Sequence, residues 1–272
     1  VRSIRGFRTI HWILMVSLGF ILNPSFQERP IFELIFPALA VAFLWQYTTM
    51  INDIHDIKID KKAHPDRPLV TKTVSIEDYR RMAHISLVLA MFLSFISGPF
   101  VILLNLIAVL LAIAYSMPPL RIRDKWYGTA IMGAGSVTQI MAGYHSNFWI
   151  FDMSFFETSV PTEMYVKILF IAFMALSIAP NITAYRDYEG DRDAGVSTIY
   201  TILGKEHGKN LVSVLTLMLF ILPELLFPSI SMAILCLSLG VLAYISFKIY
   251  ECIPCIFILY FTELLYFLIY LL

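Results

Sequence analysis

The sequence predicts an all-α integral membrane protein, a bundle of about nine transmembrane helices, and three observations carry that reading. Hydrophobic residues fill 58% of the 272 positions and charged residues only 15%, whereas soluble domains carry about one quarter charged. Nine apolar runs reach the roughly 17–25 residues that a span requires. The basic residues between those runs fall almost wholly on one side, as membrane topology demands. The formal net charge is zero, which points away from a nucleic-acid partner.

The runs cover 8–27, 31–54, 79–97, 99–117, 127–150, 163–185, 209–227, 229–247 and 252–272. The first follows Arg2, Arg5 and Arg8 and serves as a start-transfer helix. The second ends in NDIHDIKID, Asn52 to Asp60. The fourth stops at Met117, because Pro118 disfavours helix at the residue before it. In the fifth, Gly133, Gly135 and Gly143 suit close helix contacts or a kink. The sixth ends in NITAYRDYEGDRDAG, Asn181 to Gly195. Only Pro223, Glu224 and Pro228 separate the seventh from the eighth, so a count of eight or ten stays open. Cys252 and Cys255 lie beside Pro254 in the apolar ninth run and read as packing residues. Three cysteines do not make a disulfide framework.

With the N-terminus inside, eighteen of the twenty Lys and Arg residues lie on the inner side, and only Arg29 and Lys167 at outer ends. The outer connections (NPSFQERP, SGP, FDMSFFETSVPTE) are short or acidic, and the inner ones are long and basic. The cytoplasmic connections, about 52–78, 115–126 and 185–208, are therefore where function is expected. A single polytopic domain over 1–272 accounts for the whole pattern.

Two sets of carboxylates stand at that face. On a continuous helix Asp53, Asp56 and Asp60 fall within about 60° of one another. Asp187 and Asp191 are about 40° apart, while Glu189 and Asp193 point away if the helix continues. Solvated helix ends are the weaker explanation, since carboxylates at helix C-termini oppose the macrodipole. All-oxygen ligands with open positions suit Mg²⁺ that also binds phosphates, with Mn²⁺ as a substitute. His55 and His64 lack the spacing of a zinc set. Arg67, in the rigid turn HPDRPL, and Arg121 and Arg123, in YSMPPLRIRDK, suit phosphate oxygens. For Arg121 and Arg123 the competing reading is plain positive-inside topology. Metal, carboxylates and arginines at the mouth of an apolar bundle imply a ligand with a diphosphate head and a lipid tail, a prenyl diphosphate. Gln46, Asn105, Thr138, Gln139 and His145 either line a substrate cavity or bond between helices.

These residues resemble a known family. Asn52-Asp53-x-x-Asp56-x-x-x-Asp60 is similar to the NDxxDxxxD motif of the UbiA superfamily of intramembrane prenyltransferases. Arg67–Leu69 resembles its RP(L/I), YSMPPLR its YSxPPLR, and Arg186–Gly204 its RDxxxDxxxGxxTxxxxLG. The chain departs from the pattern at VTKTVS, where Ser-Gly is usual, and at ITAYRD, where several branches carry Lys-Asp. The resemblance implies helices around a central cavity open to the cytoplasmic side and to lipid, in a multi-pass cell-membrane protein. It implies two Mg²⁺ ions, one on Asp53, Asp56 and Asp60 and the other on Asp187 and Asp191. Asn52, Arg67, Tyr115, Arg121, Arg123, Tyr185 and Arg186 are then contacts to a prenyl diphosphate. The acceptor is hydrophobic, and no protein partner is required. The first motif resembles the 4-hydroxybenzoate, chlorophyll and archaeal ether-lipid branches and the second the menaquinone type, so the acceptor stays open. A polytopic ion-coupled transporter is the competing class, because intramembrane carboxylates often carry ions. A non-catalytic lipid-binding scaffold has no need of five ordered carboxylates.

Overall fold

The computed structural model describes residues 6–147 and 163–271. Arg2, Arg5 and most of the acidic connection FDMSFFETSVPTE lie outside the described residues. The helices are α1 (Gly6–Leu22), α2 (Ile35–His55), α3 (Ile57–Ala63), α4 (Ile76–Ile96), α5 (Pro99–Ser116) and α6 (Thr129–Tyr144). They continue with α7 (Glu163–Ala194), α8 (Ile199–Leu203), α9 (Lys205–Leu226), α10 (Ile230–Lys248) and α11 (Ile253–Leu271). Among the described residues, seven helices are long and apolar enough to cross a membrane. The expected first and fifth spans correspond to α1 and α6, which are shorter, at 17 and 16 residues.

The chain divides into two compact units. Among the described residues the first holds 6–122, 134–147 and 163–165, the second 123–133 and 166–271. In the first unit α2 packs on α1, α4 and α5. The buried face of α4 carries Tyr79, Ala83, Ser86, Ala90 and Ser94 at helical spacing, and small residues let helix backbones approach where lipid offers no hydrophobic drive. Its other side exposes Ile85, Val88, Phe92 and Phe95, as a lipid-facing surface should. Ser75 caps α4 by accepting from the Asp78 amide at 3.0 Å.

Gly19 and Gly143 join α1 to α6. A Cβ at Gly19 would overlap the Ile140 carbonyl, and one at Gly143 would overlap the Val16 carbonyl. Only glycine allows this reciprocal seam. Two of the polar span residues bond between helices. Asn105 donates to Ser94 Oγ (2.7 Å), and Gln139 donates to Asn105 Oδ1 (3.1 Å), linking α4, α5 and α6.

In the second unit α9, α10 and α11 pack in sequence. Tyr185, Tyr200, Phe220, Leu239 and Phe247 form its core with smaller neighbours. α9 runs through Pro223 to Leu226, and α10 starts at Ile230 with Ser229 as its cap. Cys252 and Cys255 are not merely packed but joined in a disulfide. The physical reason is the turn that opens α11: the Cys255 amide bonds the Cys252 carbonyl at 3.1 Å, bringing the two Cα atoms within 5.4 Å.

Candidate active site

The first acidic set departs from one continuous helix. α2 ends at His55, Asp56 has φ −103° and ψ 6°, and α3 begins at Ile57. Arg121 explains the break. Its guanidinium donates to the His55 carbonyl (3.1 Å) and to Asp56 Oδ1 (3.1 Å), so a side chain serves a carbonyl that an amide would serve in a continuous helix. Asn52 donates to the other oxygen, Asp56 Oδ2, at 2.7 Å. Ser116, next to the half-buried Tyr115 at the end of α5, donates to Asn52 Oδ1 at 3.4 Å.

Asp53, Asp56 and Asp60 are all buried, at 5%, 2% and 4% exposure. Their repulsion is met by protein cations. Arg67 Nη1 donates to Asp53 Oδ1 at 3.1 Å and also to Asp60 Oδ2. Two carboxylates thus converge on a single positively charged nitrogen. Among the described residues no three His, Cys, Asp or Glu side chains close into a ready metal cage. The donor set nonetheless fits a hard divalent cation: carboxylate oxygens only, buried, with two already focused on one positive atom.

In the second unit α7 continues to Ala194, so the expected geometry of its acidic end holds. Asp191 is buried and Asp187 half-buried, while Glu189 and Asp193 are exposed. Arg123 is the cation acting on Asp191, and Asp187 and Asp124 are the anions acting on it. The Ser197 amide bonds the Asp124 carbonyl at 2.9 Å, which ties this loop to the end of α7. Arg186 lies 3.6 Å from Asp187 Oδ1. Tyr185 is placed elsewhere: its hydroxyl donates to Glu251 Oε1 at 2.7 Å, beside Lys209, which donates to the same oxygen. Lys209 and then Tyr185 hold the Glu251 carboxyl below the ordinary carboxylate range.

A model of the UbiA prenyltransferase family matches residues 12–266. The chain belongs to that family. Among its relatives, the chloroplastic 2-acylphloroglucinol 4-prenyltransferase of Humulus lupulus is 32% identical over 195 residues, covering 68% of this chain and 45% of the relative. The chain thus spans about half the length of the Humulus lupulus relatives it matches. The digeranylgeranylglyceryl phosphate synthase of Saccharolobus solfataricus is 24% identical over 243 residues, 88% of this chain and 82% of that one. The fold is that of an apo UbiA homologue from Aeropyrum pernix K1, with TM-score 0.70, 16% identity, and coverage of 96% and 98%. It is equally that of a UbiA homologue from Archaeoglobus fulgidus bound to GPP and Mg²⁺, with TM-score 0.68, 19% identity, and 98% of each chain covered.

This UbiA-family chain has two site neighbours that sequence reasoning did not single out. Tyr79, 2% exposed, donates to Asp53 Oδ2 at 3.0 Å and fixes that carboxylate. Asp124 adds an anion to the α7 set. The only sequence signal for Tyr79 is an aromatic residue at a span end, which interfacial belts also produce. Removing Arg67 tests the first set directly. Arg67→Met leaves Asp53 and Asp60 buried without their shared cation and is expected to cost about 3–5 kcal/mol. Thermal unfolding in detergent with EDTA measures it; an unchanged midpoint would show that the pair contributes nothing.

Proposed function

We propose that this UbiA-family chain transfers a prenyl group from a prenyl diphosphate to a hydrophobic acceptor, releasing diphosphate in a Mg²⁺-dependent reaction. The observation that carries the reading is the convergence of Asp53 and Asp60 on one cationic nitrogen where α2 and α3 meet. Each acidic set takes one ion, Asp53, Asp56 and Asp60 the first and Asp187 and Asp191 the second, and Mn²⁺ substitutes. Bound there, the metal supplies positive charge against the oxygens of the leaving diphosphate. The protein does the rest. Asn52 and Tyr79 hold the carboxylates in place, and Arg67 and Arg121 turn from them to the diphosphate. Tyr115, Arg123 and Arg186 add contacts, whereas Tyr185, bonded to Glu251, does not.

The allylic C–O bond breaks with its electron pair going to the diphosphate oxygen. Aromatic faces in the spans shield the carbocation. An electron-rich acceptor then bonds the allylic carbon, and its proton passes to a carboxylate or to the released diphosphate. The reaction runs at the cytoplasmic face of a multi-pass membrane protein with about nine spans. The acceptor is an aromatic ring or a glycerol-phosphate ether precursor.

The test uses purified protein, an isotope-labelled prenyl diphosphate and a panel of acceptors, read by mass spectrometry. A new covalent lipid product with Mg²⁺ and none with EDTA is the expected result. Label crossing a vesicle wall without any product would overturn the reading in favour of transport. Mg²⁺ is also expected to raise the unfolding midpoint of Arg67→Met more than that of the parent, since a ligand specific to the folded state stabilises it.

A further inference from the structure

α7 carries Pro180 in its interior. Proline donates no amide hydrogen bond to the preceding turn and loosens the helix at that point. The segment beyond it, which ends in Asp187 and Asp191, is therefore oriented by what its side chains grip. Two contacts brace the helix beside the proline. Asn181 donates to the Ser177 and Ile178 carbonyls at 3.3 and 3.1 Å, and the Tyr200 hydroxyl donates to the Asn181 carbonyl at 2.8 Å. The third contact lies beside the carboxylates. The Tyr185 hydroxyl donates to Glu251 at 2.7 Å.

Tyr185 is 7% exposed. Its ring lies against Tyr200 (5.6 Å) and Phe247 (5.7 Å), with the Lys205 and Lys209 ammonium groups 4.8 and 5.3 Å from its centroid. Glu251 is more open, its side chain 49% exposed, and is held by its backbone and its partners. It sits between α10 and α11 at φ 53°, a conformation that a residue with a Cβ keeps only when its surroundings fix it. Its carboxylate also takes Lys209, and the disulfide begins at the next residue. On a helix Asp187 lies about 200° from Tyr185, and Asp191 about 240°. A grip on the Tyr185 face leaves both carboxylates on the opposite face, whereas a slip of one residue would swing them by about 100°.

We infer that Glu251 is a positioning residue which, through Tyr185, fixes the rotation of the α7 end and so the aim of Asp187 and Asp191. The inference rests on the reading that those two carboxylates hold a divalent cation. Removing Glu251 would strand the buried Lys209, so the informative variant is Tyr185→Phe, which deletes one hydroxyl and leaves the Glu251–Lys209 pair whole.

The experiment titrates the purified full chain with Mn²⁺ and reads the free ion by electron paramagnetic resonance. Thermal unfolding is measured in parallel, with Asp187→Asn as the control. Tyr185→Phe is expected to weaken the ion site lost in Asp187→Asn by about tenfold, the low end for contacts that orient a ligand from behind, while the unfolding midpoint stays near the parent's. Tyr185→Phe/Glu251→Gln should bind no more weakly than the weaker single variant. If Asp187→Asn loses the site and Tyr185→Phe binds as the parent does, the positioning role is overturned alone. If Asp187→Asn itself retains every Mn²⁺, the metal reading falls and this role falls with it.

Discussion

Asp56→Asn is expected to reduce prenyl transfer by at least about 10³-fold, with kcat and kcat/KM falling together, because on the proposed reading it deletes charge that would act on the departing diphosphate. The loss should exceed the roughly 10–100-fold that follows from disturbing groups behind a metal ligand. The substitution is gentle to the fold. Asn keeps the shape of the side chain and an oxygen for Arg121, which also holds the His55 carbonyl at 3.1 Å. Asp56 is 2% exposed, with Asn52 on one oxygen and Arg121 on the other. Asp187→Asn should give a comparable loss. Product formation by purified variants, with circular dichroism to check folding, decides the matter. Turnover of Asp56→Asn within tenfold of the parent would sink the assignment.

Gly143→Val is expected to have the largest effect on stability. Overpacking usually costs about 1–3 kcal/mol because neighbouring side chains can shift. Here the new Cβ meets the Val16 carbonyl, which is helix backbone, and the same seam repeats at Gly19 against Ile140. Relief requires separating α1 from α6, so the cost should exceed that range. Gly135→Ala is the matched control on the same helix, since its Cβ would meet only the Trp12 ring at 3.4 Å. The yield of monodisperse protein in detergent and its unfolding midpoint should fall for Gly143→Val and hold for Gly135→Ala. Equal stability of the two variants would mean the seam is not a tight contact.

The sequence made the apolar spans and both acidic sets legible because each signal is local. Asp53 with Asp56, and Asp187 with Asp191, lie within one helical turn of each other, so spacing alone predicts a shared face. Span ends were less legible, because hydropathy reports lipid and not helix. α7 runs on to Ala194 through polar residues that end an apolar run at 185 yet still form helix. The bonds from Tyr79 to Asp53 and from Tyr185 to Glu251 join distant parts of the chain, and no local pattern announces them. The arginines show a different limit. Charge complementarity predicted phosphate for Arg67 and Arg121, and the structure pairs both with carboxylates. The same guanidinium suits either anion, so residue type cannot choose between them.

That pairing makes the first acidic set resemble a resin bead in its resting form. Asp53 and Asp60 are loaded with Arg67, and Asp56 with Arg121. On the proposed reading, a divalent ion arriving with a diphosphate would be held by the carboxylates, and the arginines would pass to the phosphate oxygens. Both partners are exchanged, and no charge need be left bare in a medium where bare charge is costly. Loading by stoichiometric exchange implies that neither half of the incoming pair should bind well alone. The first set, unlike the second, should therefore show weak affinity for free Mg²⁺ and for metal-free prenyl diphosphate, and strong affinity for the two together.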